Sequence, residues 1–128
     1  MFDFRNLSPL KKQRAIAKLT KMANEAPEMF VTTHLMAEAN NYETKPFDNL
    51  YKQAMTKCHI KMNSVGATND DDIALISAIL SHTKLGTFSV DEMMENTFEN
   101  SAKILVNMKK LPERFIEVGR HCTHDIVA

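Results

Sequence analysis

The stretch Asp70-Asp71-Asp72-Ile73-Ala74-Leu75-Ile76-Ser77-Ala78-Ile79-Leu80-Ser81-His82-Thr83-Lys84-Leu85-Gly86 decides the fold. Three acids fill a first helical turn, where orphan backbone N–H groups favour negative charge. Behind them Ile73, Leu75, Ile76, Ile79 and Leu80 cover nearly half the circumference of a helix with about 3.6 residues per turn. Ala74, Ser77, Ala78 and Ser81 make a second face of small side chains, against which a neighbouring backbone can come close. No acid, lysine or arginine interrupts the run between Asp72 and Lys84, and Gly86 suits a helix exit. A segment apolar on most sides belongs at the centre of a core. Residues 73–83 still fall well short of the ~20 apolar residues that cross a bilayer.

Helical signals continue on both sides. Downstream, Ser89-Val90-Asp91-Glu92 has the form of a capping box, Ser89 and Glu92 satisfying opposite orphan donors. Val90, Met93, Met94, Thr97, Phe98, Ser101, Ile104, Leu105 and Met108 then share a face, predicting one helix over 89–108 with that face inward. Glu95, Glu99, Lys103 and Lys110 lie opposite, Glu99 and Lys103 as a favourable i,i+4 pair. Pro112 ends this helix or opens the last, in which Phe115, Ile116, Val118 and Cys122 turn inward. Upstream, Ser8-Pro9 caps a helix that Pro27 terminates. Ala15, Ile16, Leu19, Met22, Ala23 and Ala26 gather on its inner arc. A second helix runs over 27–39 through Met29, Phe30, Leu35 and Met36. A third spans 44–62, with Thr44 as cap, Pro46 near its start, and Phe47, Leu50, Tyr51, Ala54 and Cys58 at helical spacing. Residues 64–69, which include Gly66, read as a loop.

The expected fold is all-α: a compact bundle of five or six helices in one domain over 1–128. Composition agrees, since 128 residues with 44% hydrophobic and 25% charged side chains suit a single globular unit. Only 3 glycines and 4 prolines leave few places for positive φ, which disfavours tight hairpins and β architectures. The start Met1-Phe2-Asp3-Phe4-Arg5-Asn6 lacks the basic and apolar regions of a secretory leader, so a cytoplasmic location with reduced Cys58 and Cys122 is expected.

Charge balances in total, 16 basic against 16 acidic residues, but not along the chain. From Arg5 to Asn24 the charged residues are Arg5, Lys11, Lys12, Arg14, Lys18 and Lys21, without an acid. Lys11, Arg14, Lys18 and Lys21 fall on one helical stripe, which is either a solvated face or a contact surface for phosphates or an acidic protein. It lacks the interleaved aromatics of a single-strand binder. Residues 69–99 hold Asp70, Asp71, Asp72, Asp91, Glu92, Glu95 and Glu99 against Lys84. A helix-turn-helix placed there would push acids towards phosphates, which argues against major-groove reading.

Histidine and cysteine cluster at Cys58-His59 and at His121-Cys122-Thr123-His124-Asp125. Zinc needs about four converging ligands. On a helix His121 could share a side with His124 or Asp125, but Cys58 and His59 diverge by about 100°. No CxxC or HExxH spacing occurs. These clusters read as buried cysteines beside exposed histidines. The adjacent aspartates lack the alternating spacing of a calcium loop, and no phosphate-cradling glycine loop or nucleophile elbow is present. Nine methionines fill core gaps or line an adaptable groove. The sequence therefore predicts no catalytic residue, metal ligand or cofactor. It predicts a small non-enzymatic helical protein that binds a protein partner, or itself, through Lys11, Arg14, Lys18 and Lys21, the acidic pole or a methionine-lined groove, in a role such as regulating a larger complex. The alternatives are a nucleic-acid-binding module that sets the same stripe on phosphates, and a metal-dependent enzyme.

Overall fold

In the computed structural model, which describes residues 3–124, the decisive stretch is a helix in which every residue from Ile73 to Ile79 is buried. The helices in order are α1 (Pro9–Glu25), α2 (Pro27–Ala39), α3 (Asp48–Met62), α4 (Asp70–Lys84), α5 (Val90–Glu95), α6 (Phe98–Asn107) and α7 (Phe115–His121). Short 3-10 turns occupy Phe4–Asn6, Lys45–Phe47 and Asn63–Val65. The chain is an all-α, single-domain bundle with α4 at its middle, packed by α2, α3 and α7 and, less extensively, by α5 and α6.

The small face of α4 does what its side chains allow. Thr32 on α2 donates its hydroxyl to the Glu28 carbonyl (2.9 Å) and, across the seam, to the Ser77 carbonyl (3.4 Å). Ser81 returns a bond from α4 to the Glu28 carbonyl (3.4 Å). Ser77 Oγ lies 3.9 Å from Met62 Sδ on α3, and Thr83 Oγ1 lies 3.4 Å from Met93 Sδ on α5. Each of these hydroxyls thus keeps a partner, which offsets the cost of burying it.

Three helices stop in the same way. After α2, α4 and α6 the chain turns through a left-handed residue, Asn41 (φ 60°), Gly86 (φ 82°) and Lys109 (φ 57°). The next amide reaches back to the last turn: Tyr42 to Ala37, Thr87 to His82 and Lys110 to Leu105, at 2.9, 2.8 and 2.8 Å. These are Schellman closures, which return partners to carbonyls that a helix end leaves bare. Glycine and asparagine enter that conformation readily. Lys109 does not, and the Asn40 amide holds its carbonyl at 3.0 Å.

Several expectations are corrected. The helix expected over 89–108 is two helices, which makes seven among the described residues rather than five or six. Asn96 is extended (φ −85°, ψ 146°), and Thr97 accepts the Asn100 N–H at 3.1 Å, starting a new helix with its own cap. A periodicity read through that break places Met93, Ser101 and Leu105 correctly but puts exposed residues inside with them. Met93, Ser101, Ala102 and Leu105 are buried, whereas Val90 (58%), Met94 (62%), Ile104 (38%) and Met108 (48%) are exposed. Ile16, placed on the inner arc of α1, is 44% exposed, and α1 fully buries only Ala23. Thr44 makes no side-chain cap. Its carbonyl instead accepts the Phe47 N–H (2.9 Å) in the 3-10 turn that precedes α3.

Where α7 crosses α6, Gly119 leaves no room for a side chain. A Cβ there would stand 2.8 Å from the Phe98 carbonyl oxygen and 3.0 Å from the Glu99 Cα. Because the obstacle is backbone, Gly119→Ala is expected to destabilise the fold by about 1–3 kcal/mol, read as a lowered urea midpoint. An unchanged midpoint would mean that the two helices part freely.

His82 is buried in the last turn of α4, with Nδ1 3.3 Å from the Thr87 hydroxyl and Nε2 without a hydrogen-bond partner among the described residues. Burial, with Lys110 adding to it, lowers its pKa below the ordinary histidine value. The folded state therefore holds this ring neutral, while the unfolded chain takes up a proton near pH ~6.5. Its contribution to stability is complete above that pH and falls as acid titrates the unfolded ring, down to the lower folded pKa. His82→Gln is expected to flatten this acid limb of the unfolding free energy between pH 7 and pH 5 (roughly the span of that titration). The same slope in both proteins would remove His82 from the account.

Candidate functional site

The amino-terminal elements of the bundle surround an apolar pocket that is partly open to solvent. Its volume is about 400 Å³, within the ~300–1,000 Å³ typical of ligand sites. α1 contributes Ala15, Lys18, Leu19 and Met22, and α2 contributes Phe30, Thr33, His34 and Ala37. The remaining wall comes from Phe4, Leu7 and the segment that leads into α3.

That wall is clasped rather than loose. The Asp3 carboxylate accepts the Arg5 guanidinium and the Glu43 N–H (3.3 Å), while Arg5 also donates to the Asn41 carbonyl (3.1 Å). The Arg5 guanidinium holds the Asp3 carboxyl below its usual pKa, with the Glu43 and Arg5 amides adding to the effect. Phe4 meets Phe47 edge to face at 4.9 Å, and Lys12 Nζ stands 5.4 Å from the Phe4 ring centre. His34 stacks on Tyr51 with ring centres 4.2 Å apart. Burial lowers the His34 pKa and pushes the Tyr51 hydroxyl up to about 12, so neither ring is charged at neutral pH. A second cleft, of about 750 Å³, lies between the α5–α6 joint and the end of α7, but it is open and more polar.

The predicted basic stripe is present. Lys11, Arg14, Lys18 and Lys21 are all exposed on α1, and none has an ion-pair partner among the described residues. Lys18 also lines the pocket, which joins two features that the sequence left separate.

The acidic pole is dismantled in part. Asp70 pairs with His59 of α3, Asp71 with Arg114 (3.1 Å) just before α7, and Asp72 with His124 (3.3 Å) beyond α7. Arg114 also reaches Glu38 of α2 at 3.5 Å. Glu99 is shared by Lys103 and Arg120, both at 3.3 Å. Asn69, whose side chain accepts the Asp71 N–H at 2.8 Å, is the residue that caps α4. Asp91, Glu92 and Glu95, all exposed on α5, have no ion-pair partner among the described residues.

The cysteines are buried and free, as expected. Burial pushes the Cys58 thiol up to about 11 and raises that of Cys122 as well. Their neighbours do not converge. α7 ends at His121, so His121 and His124 do not share a helical side. His121 turns to Glu117 (2.7 Å), and His124 and His59 turn to the aspartates above. Asp125 lies outside the described residues. Among those residues no group of three His, Cys, Asp or Glu side chains is placed to hold a metal ion, and no helix is long and apolar enough to cross a membrane. Of the nine methionines, Met55, Met62 and Met93 fill the core, Met22 lines the pocket, and Met94 and Met108 are exposed. They do not form one groove. The chain matches no protein-family model, no curated protein and no solved structure.

An apolar pocket beside a cation takes up an amphiphilic anion. Anilinonaphthalene sulfonate is therefore expected to fluoresce with the native protein, and Ala15→Phe, which fills the pocket from α1, to remove most of the signal. Equal enhancement by both proteins, with equal thermal midpoints, would place the dye elsewhere.

Proposed function

We propose that this chain is a non-enzymatic binding protein that takes an acidic protein segment carrying an apolar anchor side chain. One observation supports this most directly: Lys18 belongs both to the stripe of ion-pair-free cations and to the wall of the apolar pocket. Hot spots in protein interfaces combine these parts, a buried anchor in a pocket and a charged rim that steers the encounter. The pocket is walled mainly by carbon, and its one histidine is neutral and stacked, which suits holding a side chain better than reacting with one. Regulation of a larger cytoplasmic assembly is the kind of role such a contact serves.

A nucleic-acid partner is the second reading, favoured by the same cations lying along one helix. α1 presents no aromatic side chain for base stacking, and phosphates leave the pocket unused, so the protein partner is the better fit.

Capture from nuclease-treated lysate tests the reading. Replacing Lys11, Arg14, Lys18 and Lys21 by Gln, or Ala15 by Phe, is expected to lower recovery of the same partner at least about tenfold, a loss of roughly 1.4 kcal/mol. Unchanged recovery with both variants would remove α1 and its pocket from function. Recovery abolished by nuclease alone would favour the second reading.

A further inference from the structure

We infer that the acidic segment which α1 accepts is α5 of a second copy of this chain, so that the protein assembles head to tail. The inference rests on the reading of α1 as a binding face and names its occupant.

Arg114 pairs with Asp71, Lys103 and Arg120 share Glu99, and His59 and His124 lie against Asp70 and Asp72. That leaves α5 as the element whose three acids have no ion-pair partner among the described residues. At about 100° per residue Val90, Asp91, Met94 and Glu95 lie within an arc of about 140°. All four are exposed. One short element thus carries acids interleaved with apolar side chains, the composition that the α1 face calls for. On α1, Leu10, Lys11, Arg14, Lys18 and Lys21 fall within an arc of about 100°, and Leu10 too is exposed. Cations with an apolar neighbour on one element match acids with apolar neighbours on the other, and Met94 is the anchor placed to reach the pocket mouth beside Lys18.

α5 is held from its inner side, by the Ser89 cap on the Glu92 N–H (3.0 Å) and by the Thr83–Met93 contact, so its outer arc is presented in a fixed orientation. α1 packs on α2 and α3 whereas α5 packs on α4, so the two arcs belong to different faces of one molecule. Contact between unlike faces is heterologous and propagates into a ring or an open chain. A formal net charge of zero removes the long-range repulsion that would oppose such growth.

Sedimentation velocity of the full chain tests the inference. In low salt the weight-average mass is expected to rise with concentration above the 14.6 kDa of one chain, and to return to it in high salt. Reversing Lys11, Arg14, Lys18 and Lys21 to Glu, or Asp91, Glu92 and Glu95 to Lys, is expected to leave each variant monomeric with an unchanged circular dichroism spectrum. An equimolar mixture of the two is expected to associate again. Met94→Ala is expected to weaken wild-type association at least about tenfold.

A wild-type protein that stays monomeric in low salt at every concentration overturns the inference. So does loss of association when Lys45, Lys52, Lys84 and Lys109, exposed residues outside both arcs, are reversed to Glu in place of the α1 cations, since attraction would then be a matter of net charge. A monomer that still captures a lysate partner through α1 overturns the self-association and leaves the acidic-partner reading standing. If neither occurs, both fall.

Discussion

The close approach of α2 to α4 is the constraint on which the rest of the bundle depends. Two helices meet at short range only where side chains are small and polar atoms keep partners, and Thr32 and Ser81 meet both conditions by donating across the seam to the backbone carbonyls of Ser77 and Glu28. With α2 fixed there, Phe30, Val31 and Leu35 are buried beside α4, and α1 hangs from α2 through the single joint residue Ala26 before Pro27. Proline has no amide hydrogen to continue the first helix, so the chain must turn at that point. The pocket is a consequence. It is the space left where α1, anchored at one end, leans on α2 without burying most of its own side chains.

The central helix was legible in the sequence because its signal is redundant: acids at the start, a broad apolar surface, a small-residue face and a glycine exit all mark the same boundaries. α1 and α2 were legible for a related reason, since Pro9 and Pro27 each sit at a first helical position. The α5–α6 break was not. Thr97 caps α6 without a glutamate three residues on, so no capping box announces it, and the apolar spacing of Val90 to Met108 continues through the interruption. Lys109 was equally invisible, because nothing in a lysine's chemistry marks a left-handed helix exit. Gly119 could have been noticed as a glycine within an apolar helix, a pattern that often marks close backbone approach.

At the candidate site the cations were readable one by one and their surroundings were not. Lys11, Arg14, Lys18 and Lys21 share a stripe by simple helical arithmetic. That Lys18 also edges a pocket depends on the 3-10 turn at Phe4–Asn6 being clasped to the loop after α2, a contact between segments far apart in the chain. The acidic pole failed for the opposite reason. Asp70, Asp71 and Asp72 look like surface charge in a one-dimensional reading, yet each is answered by a separate element of the fold. Exposed pairs of this kind add little to stability, about 0–1 kcal/mol each. Their effect is to give these acids partners within the fold, so that the pole's acids without one among the described residues lie on α5.

The two thiols, finally, report on different depths of the structure. Cys58 lies against the middle of α4, while Cys122 follows α7 at the edge of the open cleft. Both are protonated and screened from reagent in the native state, so alkylation must wait for the chain to open locally. Cys122 needs only the terminal helix to lift, whereas Cys58 needs the core to part. The ratio of their labelling rates is therefore a built-in gauge of whether this bundle loosens from its end or comes apart as a unit.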